Sequence, residues 1–282
     1  MTHCYLNGKI MPLAEAKVGI LDIGLLRGYA IYEALAVYNG RPFMFDDHMA
    51  RFRRSAEAMR LTIPATNQKI AEAISALLKR NKLTDARIKF LLTGGETVDG
   101  IDYKGDKLTF FILAEPFDPL PKKIKDHGCT LISYEFQRQF PEYKTSNYIT
   151  GVWMQPARRK AGALEILFTW QGRVLECSTS NFFIVKNGAI ITAARDILSG
   201  ITRKAVLRLA KHSGMKVEER DLGVSELATA DEAFITSSFK EIVPVIKIDN
   251  VTIGNGKPGV TTKKLATLFE HHVAEVASSS VA

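Results

Sequence analysis

The sequence predicts an α+β (α/β) protein of two domains, a small N-terminal α/β domain and a larger, β-rich C-terminal domain. Three observations lead there. Asn-Gly pairs at Asn7-Gly8, Asn39-Gly40 and Asn187-Gly188 sit between apolar runs, and this dipeptide adopts the positive φ that two-residue hairpin turns need. Between the hairpins, Met49, Phe52, Ala56 and Met59, then Ile70, Ala73, Ile74, Leu77 and Leu78, recur at helical spacing. Finally, "EPFDPLPKKIKDHG" sets Pro116, Pro119 and Pro121 in a charged stretch that extends neither neighbouring element. With 282 residues, 46% of them hydrophobic, the chain can bury two ordinary cores. The expected division is an N-terminal domain over residues 1–115, a linker over 116–127 and a C-terminal domain over 128–282.

Within the first domain, "RIKFLLTGG" and "KLTFFILAEPF" read as two strands that follow the helices. In the second, "CTLISYEFQR", "EILFTWQGRVLE", "NFFIVKNGAIITA", "EAFITSS" and "VPVIKI" read as strands. They alternate with helices near 151–162, 201–213 and 261–276.

Composition narrows the function classes. The net charge is +8, but Lys and Arg are spread along the chain, and the densest cluster, Arg51, Arg53 and Arg54, is short. No aromatic-plus-basic stacking motif accompanies it, so the charge suits small anionic ligands rather than nucleic acid. Cys4, Cys129 and Cys177 are odd in number and lack metal-ligand spacing, which argues against disulfides and a bound metal. The N-terminus has no signal-peptide layout, and no apolar run is long enough for a membrane span. A cytoplasmic protein with no membrane partner is expected.

The chemistry-bearing residues lie mostly in the second half. "FPEYKTSNYITG" places Lys144 between a strand-like run and a polar stretch; a lysine acts as a nucleophile when desolvated or set near positive charge. "GRVLECSTSNFFIV" puts Glu176 at a strand end, ahead of Ser178, Thr179, Ser180 and Asn181. Ser199-Gly200-Ile201-Thr202 opens an amphipathic helix, whose N-terminal N–H groups and partial positive charge suit a phosphate. Ser237 and Ser238 follow a strand and could offer hydroxyls to other phosphate oxygens. Taken singly, each of these is also an ordinary cap, turn or solvated side chain.

In order and spacing, "RGYAIYEAL", "DDHMARFRRSAE", "EYKTSNY", "GRVLECSTSNFF", "LSGITRKAV" and "TSSFKEIVPV" resemble the fold-type IV pyridoxal-phosphate enzymes. These are the branched-chain aminotransferases, D-amino-acid aminotransferases and aminodeoxychorismate lyases. The resemblance implies a D-amino-acid-aminotransferase-like fold with a pseudo-barrel C-terminal domain, pyridoxal 5'-phosphate as cofactor and a homodimer. It makes Lys144 the Schiff-base lysine and Glu176 the carboxylate at the pyridine nitrogen. Arg51, Ile201, Thr202, Ser237 and Ser238 become phosphate contacts, Tyr148 a neighbour of the ring hydroxyl and Tyr32 a substrate-pocket residue. The implied reaction is transamination between an amino acid, branched-chain L or D, and a 2-oxo acid such as 2-oxoglutarate. A lyase acting on an aminodeoxychorismate-like substrate is the alternative.

Substrate-binding positions depart from both familiar patterns. Where the usual D-amino-acid enzymes carry Arg-x-His, this chain has Asp99 and Ile101, and where the branched-chain enzymes place an arginine it has Lys89. Lysine can hold a carboxylate as a point charge but lacks the bidentate fork. Arg27, in "LLRGYAIYE", is the other candidate cation, as in a less standard subgroup of these enzymes, and Arg138 is a third, expected to be structural.

Overall fold

The computed structural model describes residues 1–278; residues 279–282, the end of the expected C-terminal domain, lie outside the described residues. The chain forms two compact units. Of the described residues, the first comprises Met1–Asp118, Tyr143–Asn147 and 275–278; the second comprises Pro119–Glu142 and Tyr148–Ala274.

The first unit is an antiparallel sheet with helices on one face. Its strands are β1 (His3–Leu6), β2 (Lys9–Pro12), β3 (Ala30–Tyr38), β4 (Arg41–Pro42), β5 (Ala86–Thr93) and β6 (Thr109–Pro116), in the order β2-β1-β6-β5-β3-β4. The short helix α1 (Ile23–Arg27) precedes β3, while α2 (Phe45–Ala58) and α3 (Asn67–Asn81) lie between β4 and β5. Side chains alternate along a strand, so Ile31, Leu35, Ile88, Phe90, Phe110 and Ile112 point to one face. There they form a core with Met49, Phe52, Ala56, Ile70, Ile74 and Leu77, the apolar stripe expected from helical spacing. Tyr32 stands opposite Leu91 and Ala34 opposite Lys89, so Tyr32 and Lys89 share the other face.

The second unit holds β7 (Cys129–Glu135), β8 (Glu165–Trp170), β9 (Arg173–Cys177), β10 (Asn181–Lys186), β11 (Ala189–Thr192), β12 (Lys216–Glu219), β13 (Leu222–Gly223), β14 (Glu232–Ser237), β15 (Glu241–Ile248) and β16 (Val251–Thr252). A pairing between β9 and β10 closes β10, β14, β15, β7, β8 and β9 into a barrel. Leu131, Leu167, Phe182, Ile184, Ile235 and Val243 belong to one buried cluster of this unit. On the opposite side of the strands Phe183 and Phe234 stack with centroids 4.6 Å apart, and α7 (Ile201–His212) packs against β14.

Local chemistry explains the turns and breaks. All three Asn-Gly pairs take positive φ at both residues, and Gln171-Gly172 does the same between β8 and β9 without the asparagine that would have marked it. A helix expected over 151–162 is instead two, α5 (Ile149–Trp153) and α6 (Gln155–Lys160), because Pro156 in the first turn of α6 has no N–H to continue the ladder of α5. Within the proline-rich 116–127 stretch, Lys122–His127 form the short helix α4, with Pro121 at its N-cap. The C-terminal helix α8 spans Val260–Ser278. Among the described residues no helix is long and apolar enough to cross a membrane.

Candidate active site

In the first unit the candidate lysine is held by its own backbone. Tyr32 N–H donates to the Lys144 carbonyl at 3.0 Å, Lys144 N–H donates to Ser55 Oγ at 3.2 Å, and Ser146 N–H donates to the Ala30 carbonyl at 2.9 Å. Thr145 bridges Ile31, so "KTS" runs as an extra edge beside the start of β3. The Lys144 ammonium lies 4.4 Å from the centroid of the Tyr32 ring, within cation–π range.

Three buried side chains of β3 and α2 form a charged cluster in the same unit. Arg51, on α2, meets Glu33 as a fork: Nη2 to Oε1 at 2.6 Å and Nε to Oε2 at 3.0 Å. His48 Nδ1 reaches Glu33 Oε1 at 3.1 Å. Glu33, His48 and Arg51 are all almost fully buried. Burial opposes ionisation of Glu33, but the charges and hydrogen bonds of Arg51 and His48 outweigh it and hold its carboxyl far below the usual range. Burial pulls His48 the other way from its pairing with Glu33 and prevails, aided by the charges of Arg51 and Lys144, which holds the imidazole below its ordinary value. Neither Glu33 nor His48 stood out in the sequence. Both sit at core-facing positions of an apolar strand and helix, and a charged residue at such a position was the available signal.

The candidate substrate cations are more exposed. Arg27 ends α1, whose N-cap Asp22 accepts from Gly24 N–H at 2.7 Å and from the hydroxyls of Thr93 and Thr109. Lys89 pairs with Glu115 at 3.1 Å and its side chain is 46% exposed. Asp99 accepts from Asp102 N–H at 2.8 Å and Ile101 N–H at 3.0 Å, and those bonds hold its carboxyl below the usual range. It therefore serves as a turn cap.

In the second unit Glu176, at the end of β9, is buried and ringed by donors. Arg138 Nε and Nη2 reach its Oε1 at 2.8 and 2.7 Å, while Leu198 N–H and Asn181 Nδ2 reach Oε2 at 3.0 and 3.3 Å. Asn181 also donates to the Leu198 carbonyl at 2.8 Å, joining β10 to the segment that enters α7. That helix begins at Gly200 with no capping side chain, and Ile201 and Thr202 are buried in its first turn. A Cβ on Gly200 would lie 1.9 Å from Asn181 Oδ1, so the close approach demands glycine. Tyr148 is the N-cap residue of α5. Ser237 Oγ accepts from Lys240 N–H at 3.3 Å in the turn that also contains Ser238.

Glu165 is the acidic residue that the sequence hid. It heads the apolar run "EILFTW", is buried, and accepts from Ser178 Oγ, Thr179 N–H and Thr179 Oγ1 at 2.9 Å each, from Ser180 Oγ, and from Lys240 Nζ at 2.8 Å. Burial opposes its ionisation, yet Lys240 and the hydrogen bonds hold its carboxyl below the usual range. The small hydroxyl residues after Glu176 are therefore tied to a buried anion, fixing the turn from β9 into β10. Thr236, the cross-strand partner of Asn181, has a buried hydroxyl with no hydrogen-bond partner among the described residues.

The chain is similar to known proteins over nearly its whole length. A Methanocaldococcus jannaschii protein described as a branched-chain-amino-acid aminotransferase is 38% identical over 275 residues, 94% of this chain and 94% of its own. The D-alanine aminotransferase of Bacillus licheniformis is 31% identical over 280 residues, 98% of each chain. Among solved structures, the Escherichia coli branched-chain amino acid aminotransferase superposes with a TM-score of 0.89 at 27% identity, covering 95% of this chain and 93% of that one. Residues 30–248 match the family described as amino-transferase class IV, and with relatives of this identity over nearly its whole length, the chain belongs to that family and is a transaminase of fold type IV.

Proposed function

We propose that the chain uses pyridoxal 5'-phosphate to move an amino group between an amino acid, branched-chain L or D, and a 2-oxo acid such as 2-oxoglutarate. The observation that carries this reading is the placement of Lys144, pinned through both its peptide N–H and C=O with its amine against the Tyr32 ring.

The residues fit the cofactor on structural grounds. The first turn of α7 lacks a capping side chain, and the buried Thr236 hydroxyl has no partner among the described residues. Such orphan donors suit a phosphate. Bound pyridoxal phosphate supplies an aldehyde and an electron-accepting ring. Arg51, Ile201, Thr202, Ser237 and Ser238 would hold its phosphate, and Tyr148 would sit by its ring hydroxyl. The carboxylate of Glu176 would accept a hydrogen bond from the ring nitrogen and keep the proton there. Lys144 Nζ, once displaced by the substrate amine, would take the proton from the substrate α-carbon and return it at the neighbouring carbon. Tyr32, Arg27 and Lys89 are the proposed substrate contacts; Lys89 must leave Glu115 to serve.

The same reading keeps residues 116–127 as the linker between an N-terminal and a cofactor-binding domain, supported by the change of unit between Asp118 and Pro119. A homodimer is supported by the exposed apolar residues Ile149, Val152 and Trp153 on α5. A cytoplasmic setting is supported by three buried, unpaired cysteines.

Visible absorbance of the purified protein, recorded with a panel of L- and D-amino acids, tests the proposal. A donor that bleaches the cofactor band, reversed by a 2-oxo acid, is the expected result and identifies the substrate hand. Release of pyruvate from an aminodeoxychorismate-like substrate, with the band restored without any 2-oxo acid, would instead favour the lyase. Borohydride should fix the cofactor to Lys144 and leave Lys144→Ala unlabelled; an adduct at another lysine would overturn the assignment.

A further inference from the structure

We infer that Arg138 is the positioning residue for Glu176: it fixes the orientation and the negative charge of that carboxylate and does not serve the substrate carboxylate. The inference rests on the proposed contact of Glu176 with the ring nitrogen.

The geometry is that of a buried ion pair. The two side chains are 11% and 7% exposed, and Nε and Nη2 of Arg138 converge on one oxygen, Oε1, at 2.8 and 2.7 Å. Arg138 Nη2 also donates to the Pro141 carbonyl, closing the loop 138–141 on itself. Leu198 N–H holds Oε2 at 3.0 Å, and Asn181 Nδ2 reaches it only at 3.3 Å, its shorter bond going to the Leu198 carbonyl, so Oε2 keeps a lone-pair direction for a further donor. A planar guanidinium restricts rotation of the carboxyl group in a way that a point charge cannot.

Three consequences follow. A cation at hydrogen-bond distance favours the charged form of a carboxylate, so Glu176 stays an acceptor when a ring N–H is presented to it. The ring proton then remains on nitrogen, where it supports the electron sink. A substrate carboxylate, by contrast, would have to replace Glu176 at Arg138 and leave a buried anion without its cation, which is strongly unfavourable.

The test is a double-mutant cycle on the holoenzyme with Arg138→Met, Arg138→Lys, Glu176→Gln and the Glu176→Gln/Arg138→Met pair. Measured are kcat and KM for the amino donor, the cofactor dissociation constant, and the pH dependence of the visible cofactor band. If Arg138 acts through Glu176, Arg138→Met should lower kcat by about tenfold or more, weaken cofactor binding and shift the pH dependence of the band, while KM changes by less than about threefold. Arg138→Lys should recover part of each loss, and it carries the test if the methionine variant does not fold. In the Glu176→Gln background, Arg138→Met should add little. A rise in KM of about tenfold with kcat retained would overturn the inference in favour of a substrate ligand, and fully additive losses would overturn it by showing that Arg138 acts elsewhere. Near-normal turnover and an unchanged band in Glu176→Gln alone would instead remove the ring-nitrogen role of Glu176, an outcome read independently of Arg138.

Discussion

Glu176 shows what one residue's surroundings add to its identity. The Arg138 guanidinium, the Leu198 N–H and the Asn181 amide all meet its carboxylate as donors. In Glu176→Gln, one oxygen becomes an NH2 group that must face a donor. Asn181 cannot simply flip to accept, because its amide also donates to the Leu198 carbonyl. The variant should therefore lose roughly 1–3 kcal/mol of stability as well as slowing the chemical step, on the order of a hundredfold or more, while still binding cofactor. Thermal melts beside single-turnover rates check both effects; full stability and normal turnover together would contradict the role. Gly200→Ala is the companion experiment. Its new Cβ would fall 1.9 Å from Asn181 Oδ1, so the mouth of α7 must shift, and cofactor affinity should drop while the far end of the helix is unaffected. Equilibrium titration of the apoprotein measures that drop.

Elements carry constraints that single residues do not. Helix α2 buries Met49 and Phe52 in the core of the first unit and, from the same turns, sends His48 and Arg51 to Glu33 on β3. Arg51→Ala would remove the proposed phosphate contact, worth roughly 1.5–3 kcal/mol, or about ten- to a hundredfold in cofactor affinity. It would also leave Glu33 buried without its cation, a loss of about 3–5 kcal/mol in stability. Both effects are expected. The two separate by measuring the apoprotein's melting temperature beside the cofactor dissociation constant, and Arg51→Ala/Glu33→Gln should recover stability without recovering affinity.

For the whole molecule, acid sensitivity should begin with the same cluster. The folded protein holds His48 and Glu33 below their ordinary values, so the unfolded chain binds more protons at both sites. Stability is then present above the unfolded values, near 6.5 for His and 4.3 for Glu, and is lost as pH falls below each in turn, at up to about 1.4 kcal/mol per pH unit for each proton. Melting temperatures recorded from pH 8 to pH 4 should fall first from about pH 6.5, and His48→Gln should flatten that first slope. The thiols should be protected from reagents in the folded protein. Cys4, Cys129 and Cys177 are buried, and burial raises all three, with Cys129 pushed up to about 12. Native protein should resist disulfide-exchange reagents until it unfolds, and rapid labelling of any cysteine at neutral pH would contradict this burial.

Periodic features were legible in the chain alone. Helical spacing from Met49 to Leu78 placed the buried stripes of α2 and α3, and the Asn-Gly pairs marked three hairpins, because both signals are local backbone preferences. The ordered motifs from "RGYAIYEAL" to "TSSFKEIVPV" were enough to suggest the family, since each strings several residues of fixed chemistry along one stretch of chain. Which charges lie inside became visible only once the chain was folded. Glu33 with Arg51 and His48, Glu165 with Lys240 and the 178–180 hydroxyls, and Glu176 with Arg138 each join residues that are well separated in sequence. No periodicity marks such partners, because a buried carboxylate is stable only when the fold brings a cation and donors to it, and that meeting is a property of distant strands and helices rather than of their neighbours in the chain.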